Sequence, residues 1–154
     1  MTSTVTLAFL HHAAAFVIVG VLTAELVLLM GELTLTSARS LVRIDAAYGI
    51  AALVLLVVGF LRVFYTEKGA NYYFHSGAFI AKISLFLVVG LLSIYPTLQF
   101  LGWRKAIAQG RAPSFDAGAR RKVRMLVHIE LTLLFVIMLC AAMMARGIFY
   151  FGSR

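Results

Sequence analysis

Four long apolar stretches constrain the fold of this chain more than any other feature of its sequence. They cover about residues 6–30, 44–65, 79–101 and 125–146. Each has the roughly 20 residues that an α-helix needs to cross a hydrocarbon layer about 30 Å thick. Continuous apolar runs exclude barrel strands, which alternate, and lipid admits only helices or closed barrels. The sequence therefore predicts an all-α, four-helix transmembrane bundle that runs up-down-up-down as a single integral membrane domain, residues 1–154.

The composition is also typical of a membrane protein. Of the 154 residues, 62% are hydrophobic and 13% are charged, and the mean hydropathy is +0.98. A soluble domain is about half apolar and about a quarter charged. The net charge of +8 does not indicate nucleic acid, because the basic residues flank the apolar runs, as they do opposite anionic lipid headgroups. We therefore expect the lipid bilayer as partner, and no nucleic acid.

The basic residues predict an orientation. The first and third connections carry nine of them, and the opposite side of the bundle carries four. The positive-inside rule places the richer side in the cytoplasm, so both termini face outward. The expected location is a bacterial inner (plasma) membrane, with multiple spans. The nine are Arg39, Arg43, Arg104, Lys105, Arg111, Arg120, Arg121, Lys122 and Arg124, and the four are Arg62, Lys68, Arg146 and Arg154.

A basic, imidazole-rich group lies near the outer ends of the spans and consists of His11, His12, Arg62, His75 and Lys82. A lysine within a span costs roughly 3 kcal/mol on insertion, so Lys82 requires either an anion in the bundle or an ammonium that reaches the nearby interface. Imidazole is a ligand of haem iron. We therefore predict that His11 binds the iron of a haem b, with His75 as second ligand, and that Lys82 and Arg62 pair with its propionates. Interfacial anchoring is the alternative for the histidines.

An acidic group near the inner ends consists of Glu25, Asp45 and Glu130. Ionisable residues inside a span commonly mark ion or proton pathways. Two interpretations stay open at this point. The three carboxylates relay protons, or they are structural and pair with Arg43 and Arg124.

Helical periodicity sorts these side chains further. At about 100° per residue, His11 and Glu25 fall within about 40° of each other on the first span, whereas His12 points elsewhere. On the third span, Lys82 and Ser93 share a face, and His75 shares it with Lys82 if that helix extends back to residue 75. Polar stripes of this kind point into a bundle rather than toward lipid. The sequence therefore favours His11 over His12 as the inward histidine.

One segment resembles a known enzyme family. The stretch "FHSGAFIAKISLFLVVGLLSIYPTLQFLGWRKAIAQGRAP" is similar to the third-span region of the HemJ-type protoporphyrinogen oxidases. Those proteins have a histidine near the start of the first span and a lysine near the start of a later one. Here "FLHHAAAF" offers His11 or His12, and "FIAKISLF" offers Lys82. The resemblance implies haem b and oxidation of a porphyrinogen.

The whole chain resembles more closely a widespread group of uncharacterised small four-span bacterial membrane proteins. The stretches that carry this resemblance are "RIDAAYGIAALVLLVVGFLR", "YTEKGANYYFH" and "AAMMARG". The acidic group has no counterpart in the HemJ-type pattern, so that resemblance covers only part of the chain.

The function that these features favour is a haem b-binding, and hence metal-binding, membrane oxidoreductase acting on a porphyrinogen or quinone-like substrate. Lys82 and Arg62 would bind acidic groups of haem or substrate. Two alternatives belong to other classes: a small haem-free transporter or channel with an intramembrane carboxylate site, and an assembly or scaffold subunit. A homo-oligomer and a quinone or other redox partner are further expectations. Met138, Met143, Met144 and Cys140 are interpreted as packing residues.

Overall fold

The chain folds into a bundle of long helices. The computed structural model describes residues 2–65 and 69–152. Four of the helices in these ranges are long and apolar enough to cross a membrane, which confirms the all-α transmembrane bundle. The helices are α1 (Thr2–Met30), α2 (Leu35–Tyr65), α3 (Gly69–Phe74), α4 (Gly77–Gly102), α5 (Arg104–Ala108) and α6 (Ala117–Ala145), of which α1, α2, α4 and α6 are the four long ones.

The long helices pack in the cyclic order α1, α2, α4, α6. Packing is most extensive between α1 and α2 and between α4 and α6, and it is sparsest between α2 and α4. Consecutive long helices run antiparallel, so α1 and α4 are parallel on one diagonal. One end of the bundle, here the terminal end, holds the start of α1 and the end of α6. The other, the basic end, holds the connections after α1 and α4 and their basic residues.

The core consists of apolar side chains from all four long helices. Ile18, Leu41, Val89 and Val127 are among the most buried, each from a different helix. Large apolar side chains elsewhere point outward on every long helix, such as Phe16 and Leu91. An outer surface of this kind suits contact with lipid, since lipid tails are as apolar as the side chains. The interior, by contrast, holds the buried carboxylates described below.

All four long helices begin before the predicted spans, and two of them, α2 and α6, begin more than two turns earlier. Span two was expected from residue 44, but α2 begins at Leu35, and span four was expected from residue 125, but α6 begins at Ala117. Hydropathy detects only the segment that lies in hydrocarbon, whereas these helices continue through the polar interface. The predicted connections 31–43 and 102–124 are correspondingly shorter, and the second also contains α5.

Local capping explains where both helices begin. At α2, Thr34 N–H donates to Ser37 Oγ at 2.8 Å and Ser37 N–H donates to Thr34 Oγ1 at 3.1 Å, a reciprocal capping arrangement. At α6, the Asp116 carboxylate accepts from Gly118 N–H at 2.9 Å and from Ala119 N–H at 3.1 Å. These side chains satisfy amides that have no partner within the helix.

A contact between α6 and α1 closes the basic end. The Arg120 guanidinium donates to the Leu29 carbonyl, from Nε at 3.0 Å and from the terminal nitrogen at 2.8 Å, and also to the Gly31 carbonyl. The last carbonyls of a helix lack internal partners and carry partial negative charge, so a guanidinium there stabilises the end of α1. One of the nine basic residues used for orientation therefore also has a structural role.

The predicted connection 66–78 contains the short helix α3, and the chain after α6 returns to it. Gly77 N–H donates to the Phe149 carbonyl at 2.9 Å, and Phe151 N–H donates to the His75 carbonyl at 2.9 Å. The Tyr72 and Tyr150 rings stack with centroids 4.7 Å apart. This segment covers the terminal end of the bundle. Lys68 and Arg154, which the sequence placed on this side, lie outside the described residues.

Candidate functional site

A pocket opens at the terminal end, where the packing between α2 and α4 is sparse. Its volume, including the open mouth, is about 650 Å³. Most of the wall is apolar and comes from α2 and α4. Three basic or imidazole side chains complete it: His11 from α1, Arg62 from α2 and Lys82 from α4. The structure thus brings together three of the residues that the sequence predicted as a site.

The His11 ring is partly buried against α2 and is packed over Gly59. A Cβ at position 59 would lie 3.4 Å from His11 Cε1 and 3.7 Å from Nδ1, which is van der Waals contact, so the ring lies directly over this glycine. The His11 ring lies close enough to the Leu55 backbone carbonyl to interact with it, but the buried Nδ1 forms no hydrogen bond of good geometry in the described part of the chain. A buried polar atom normally has a partner, so this nitrogen indicates a missing one.

The pocket is electropositive. Lys82 and Arg62 are close enough to each other and to His11 to interact electrostatically. Both side chains are partly buried, and no acidic residue lines the described walls. Two cations that face one pocket of low dielectric repel each other and attract an anion. The site is therefore suited to a molecule with an acidic group and an apolar body.

The other predicted histidines do not reach this pocket. His12 is exposed, and its Nδ1 lies 2.6 Å from the Ala8 carbonyl of the same helix. His75 is also exposed, with Nδ1 2.8 Å from the Asn71 carbonyl, and it borders a separate shallow depression. The predicted shared face of His75 and Lys82 required α4 to extend back to residue 75. That expectation is wrong, because Ser76 caps α4 and the helix begins at Gly77.

The donor set of the pocket is consequently limited to His11 among histidines. Within residues 2–65 and 69–152, no three His, Cys, Asp or Glu side chains are grouped closely enough to hold a bare metal ion.

Tyr73 and Met144 are among the pocket residues that were not predicted as part of a site. Tyr73 belongs to α3, which lies between the apolar runs and has no hydropathy signal of its own. Met144 was interpreted as packing, yet it lines the pocket. Its position follows from periodicity, since Ile137 and Cys140 are buried and Met144 continues their face by one turn.

The acidic group is buried at the opposite end of the bundle. Glu25, Asp45 and Glu130 are exposed by only 2%, 7% and 1%. Arg43 and Arg124, the predicted structural partners, are exposed on the outside of their helices. In the described residues none of the three carboxylates forms an ion pair with a basic side chain.

Comparison with known proteins gives a family but no characterised relative. A family model described as "Predicted membrane protein (DUF2214)" matches residues 3–149. No curated protein and no solved structure matches the chain. The HemJ-type resemblance and the bacterial location therefore rest on the sequence motifs alone. The family match covers nearly the whole chain and agrees with its four membrane-spanning helices, so the protein belongs to the DUF2214 family of predicted membrane proteins.

Proposed function

We propose that this membrane protein binds haem b in the terminal pocket and acts as an oxidoreductase. One observation carries the proposal. The His11 imidazole, with a buried nitrogen that forms no hydrogen bond of good geometry among the described residues, lines the same apolar pocket as the two cations Lys82 and Arg62.

The chemical types of the residues that line the pocket fit haem b. Haem requires an axial ligand for iron, apolar walls for its macrocycle and partners for its two propionates. In this proposal His11 would ligate the iron, and Lys82 and Arg62 would pair with the propionates. Phe60 and Phe79 are among the walls that would exclude water.

The division of roles follows from this placement. Haem b, when bound, supplies one-electron transfer. The protein supplies ligation through His11, electrostatic orientation of acidic groups through Lys82 and Arg62, and an environment that excludes water. A pocket both apolar and cationic favours a lipophilic substrate with acidic or carbonyl oxygens, such as a porphyrinogen or a quinone-like molecule. His75 has no place in this proposal, because it does not border the pocket.

Absorption spectroscopy tests the proposal. Protein purified from cells with ample haem should be red, with a Soret band and, on reduction, split α and β bands. Pyridine haemochrome analysis should give one haem b per chain. Protein that stays colourless under saturating haem would contradict the proposal and leave the transporter and scaffold alternatives.

The same proposal includes an orientation, with the basic end in the cytoplasm and the terminal pocket outside. Two exposed positions report on it in a Cys140→Ser background, Ser114→Cys at the basic end and Asn71→Cys at the terminal end. A membrane-impermeant maleimide should label residue 71, but not residue 114, in intact cells. Disrupted cells should allow labelling of both. Labelling of residue 114 in intact cells would show that the orientation is the opposite of the one proposed.

A further inference from the structure

We propose that Glu25, Asp45 and Glu130 form a proton-binding site at the basic end of the bundle, which exchanges protons with that side of the membrane only. The inference does not rest on haem. It comes from a second polar site that the terminal pocket does not use.

All four long helices contribute to this site. Glu25 comes from α1, Asp45 from α2 and Glu130 from α6. The contribution of α4 is uncharged: Thr97 Oγ1 donates to Asp45 Oδ1 at 2.8 Å. Oε1 of Glu25 and Oε1 of Glu130 are buried and have no hydrogen-bond partner among the described residues. Buried oxygens without partners, on side chains that are 2% and 1% exposed, indicate an atom that the protein itself does not supply.

The negative charge of the three carboxyl groups at this site must be neutralised. The three carboxyl groups interact electrostatically with one another. Glu25 interacts with both Asp45 and Glu130, and Glu130 interacts with Asp45. No described basic side chain compensates them. Three uncompensated carboxylates in a buried, membrane-embedded site are electrostatically prohibitive, so such groups take up protons or bind a cation.

Protons satisfy the geometry better than a metal ion. The three acidic side chains are not grouped closely enough to ligate a metal, within the part of the chain that the structure describes. A protonated carboxyl needs only one acceptor and can exchange with nearby hydroxyls. The buried Tyr48 supplies such a hydroxyl, because it interacts with Glu130 and with the Ser93 side chain.

The titratable groups that face the site come from three of its helices. They are Glu25 on α1, Asp45 and Tyr48 on α2, and Glu130 on α6, whereas α4 presents the uncharged Ser93 and Thr97.

An apolar layer separates this site from the terminal pocket. His11 and Glu25 are fourteen residues apart on α1, which corresponds to about 21 Å along the helix. Ile18 and Leu22 fill the interval on α1, and the other helices place Ala51, Val89 and Leu134 in the same buried core. An apolar layer of this kind interrupts any chain of polar side chains through the bundle. The site can therefore load and release protons without conducting them across the membrane.

Infrared spectroscopy of the full-length protein in lipid nanodiscs tests the protonation directly. At neutral pH the wild type should show a C=O stretching band of buried protonated carboxyl groups. Glu25→Gln and Glu130→Gln should each remove part of this band, since glutamine imitates the protonated acid in shape but has no ionisable proton. Glu32→Gln, at an exposed position of the α1–α2 connection, is the matched control and should leave the band unchanged.

Three outcomes would overturn the proposal. The first is the absence of a protonated carboxyl band in the wild type. This measurement does not depend on the folding of any variant. The second is stabilisation of the wild type, but not of Glu130→Gln, by sodium or magnesium at constant pH, because the occupant would then be a metal cation. The third is proton flux across liposomes that Glu130→Gln abolishes, because the site would then conduct.

Discussion

His11→Ala should lower the haem content of the purified protein by more than about tenfold. His11 is the one histidine of the described chain that lines the terminal pocket, and its Nδ1 forms no hydrogen bond of good geometry there. Loss of a residue that merely supports a metal ligand already costs roughly 10–100-fold in affinity, so loss of the ligand itself should cost at least as much. The measurement is the ratio of haem to protein by pyridine haemochrome assay.

His12→Ala is the matched control, because it removes an imidazole from the neighbouring residue of the same helix. His12 is exposed and bonded only within α1, so its haem content should stay near that of the wild type. Unchanged haem in His11→Ala together with loss in His12→Ala would show that the proposed ligand is the wrong histidine.

Lys82→Met should change stability in opposite directions with and without haem. In the haem-loaded protein the variant leaves a propionate without its cation inside the bundle, and loss of one partner of a buried pair costs about 3–5 kcal/mol. In the haem-free protein the same variant removes a desolvated charge that Arg62 repels, so stability should rise or stay constant. The measurement is thermal unfolding of both forms in detergent, with haem occupancy determined in parallel.

Two further variants help to interpret the effect of Lys82→Met. Lys82→Arg keeps the charge but changes the geometry of its donors, so it should retain part of the haem occupancy. Lys105→Met removes an exposed lysine at the basic end and should have no effect on haem. A fully stable, fully haem-loaded Lys82→Met protein would mean that Lys82 extends to the interface and binds no anion.

Most of the fold could be predicted from hydropathy, because insertion into lipid depends on apolar length before any tertiary contact forms. The starts of α2 and α6 could not, since they depend on side-chain caps at Thr34 and Asp116 rather than on apolarity. The helix α3 was missed for a related reason: it lies outside the apolar runs, and it packs against α2, α4 and the distant chain segment around Tyr150.

Periodicity predicted the two polar sites where a helix is continuous and failed where it is not. It distinguished the partly buried His11 from the exposed His12 and placed Glu25 in the interior. His75 lies before the cap of α4, so no helical phase relates it to the residues of that helix.

The same periodicity also explains why Asp45 does not pair with Arg43 in the structure, which was one alternative for the acidic group. Arg43 precedes Asp45 by two residues, which is about 200° around a helix. When Asp45 faces the interior, Arg43 faces outward and cannot pair with it.

Titration of haem-free protein with hemin tests the central claim most directly, namely that the terminal pocket binds haem b through His11. Wild-type protein in nanodiscs should shift the Soret band of hemin and saturate at one hemin per chain. His11→Ala should not saturate at the same concentrations, and added imidazole should restore binding by occupying the space over Gly59. The absence of saturable binding to the wild type, or identical titrations of the wild type and His11→Ala, would contradict the account.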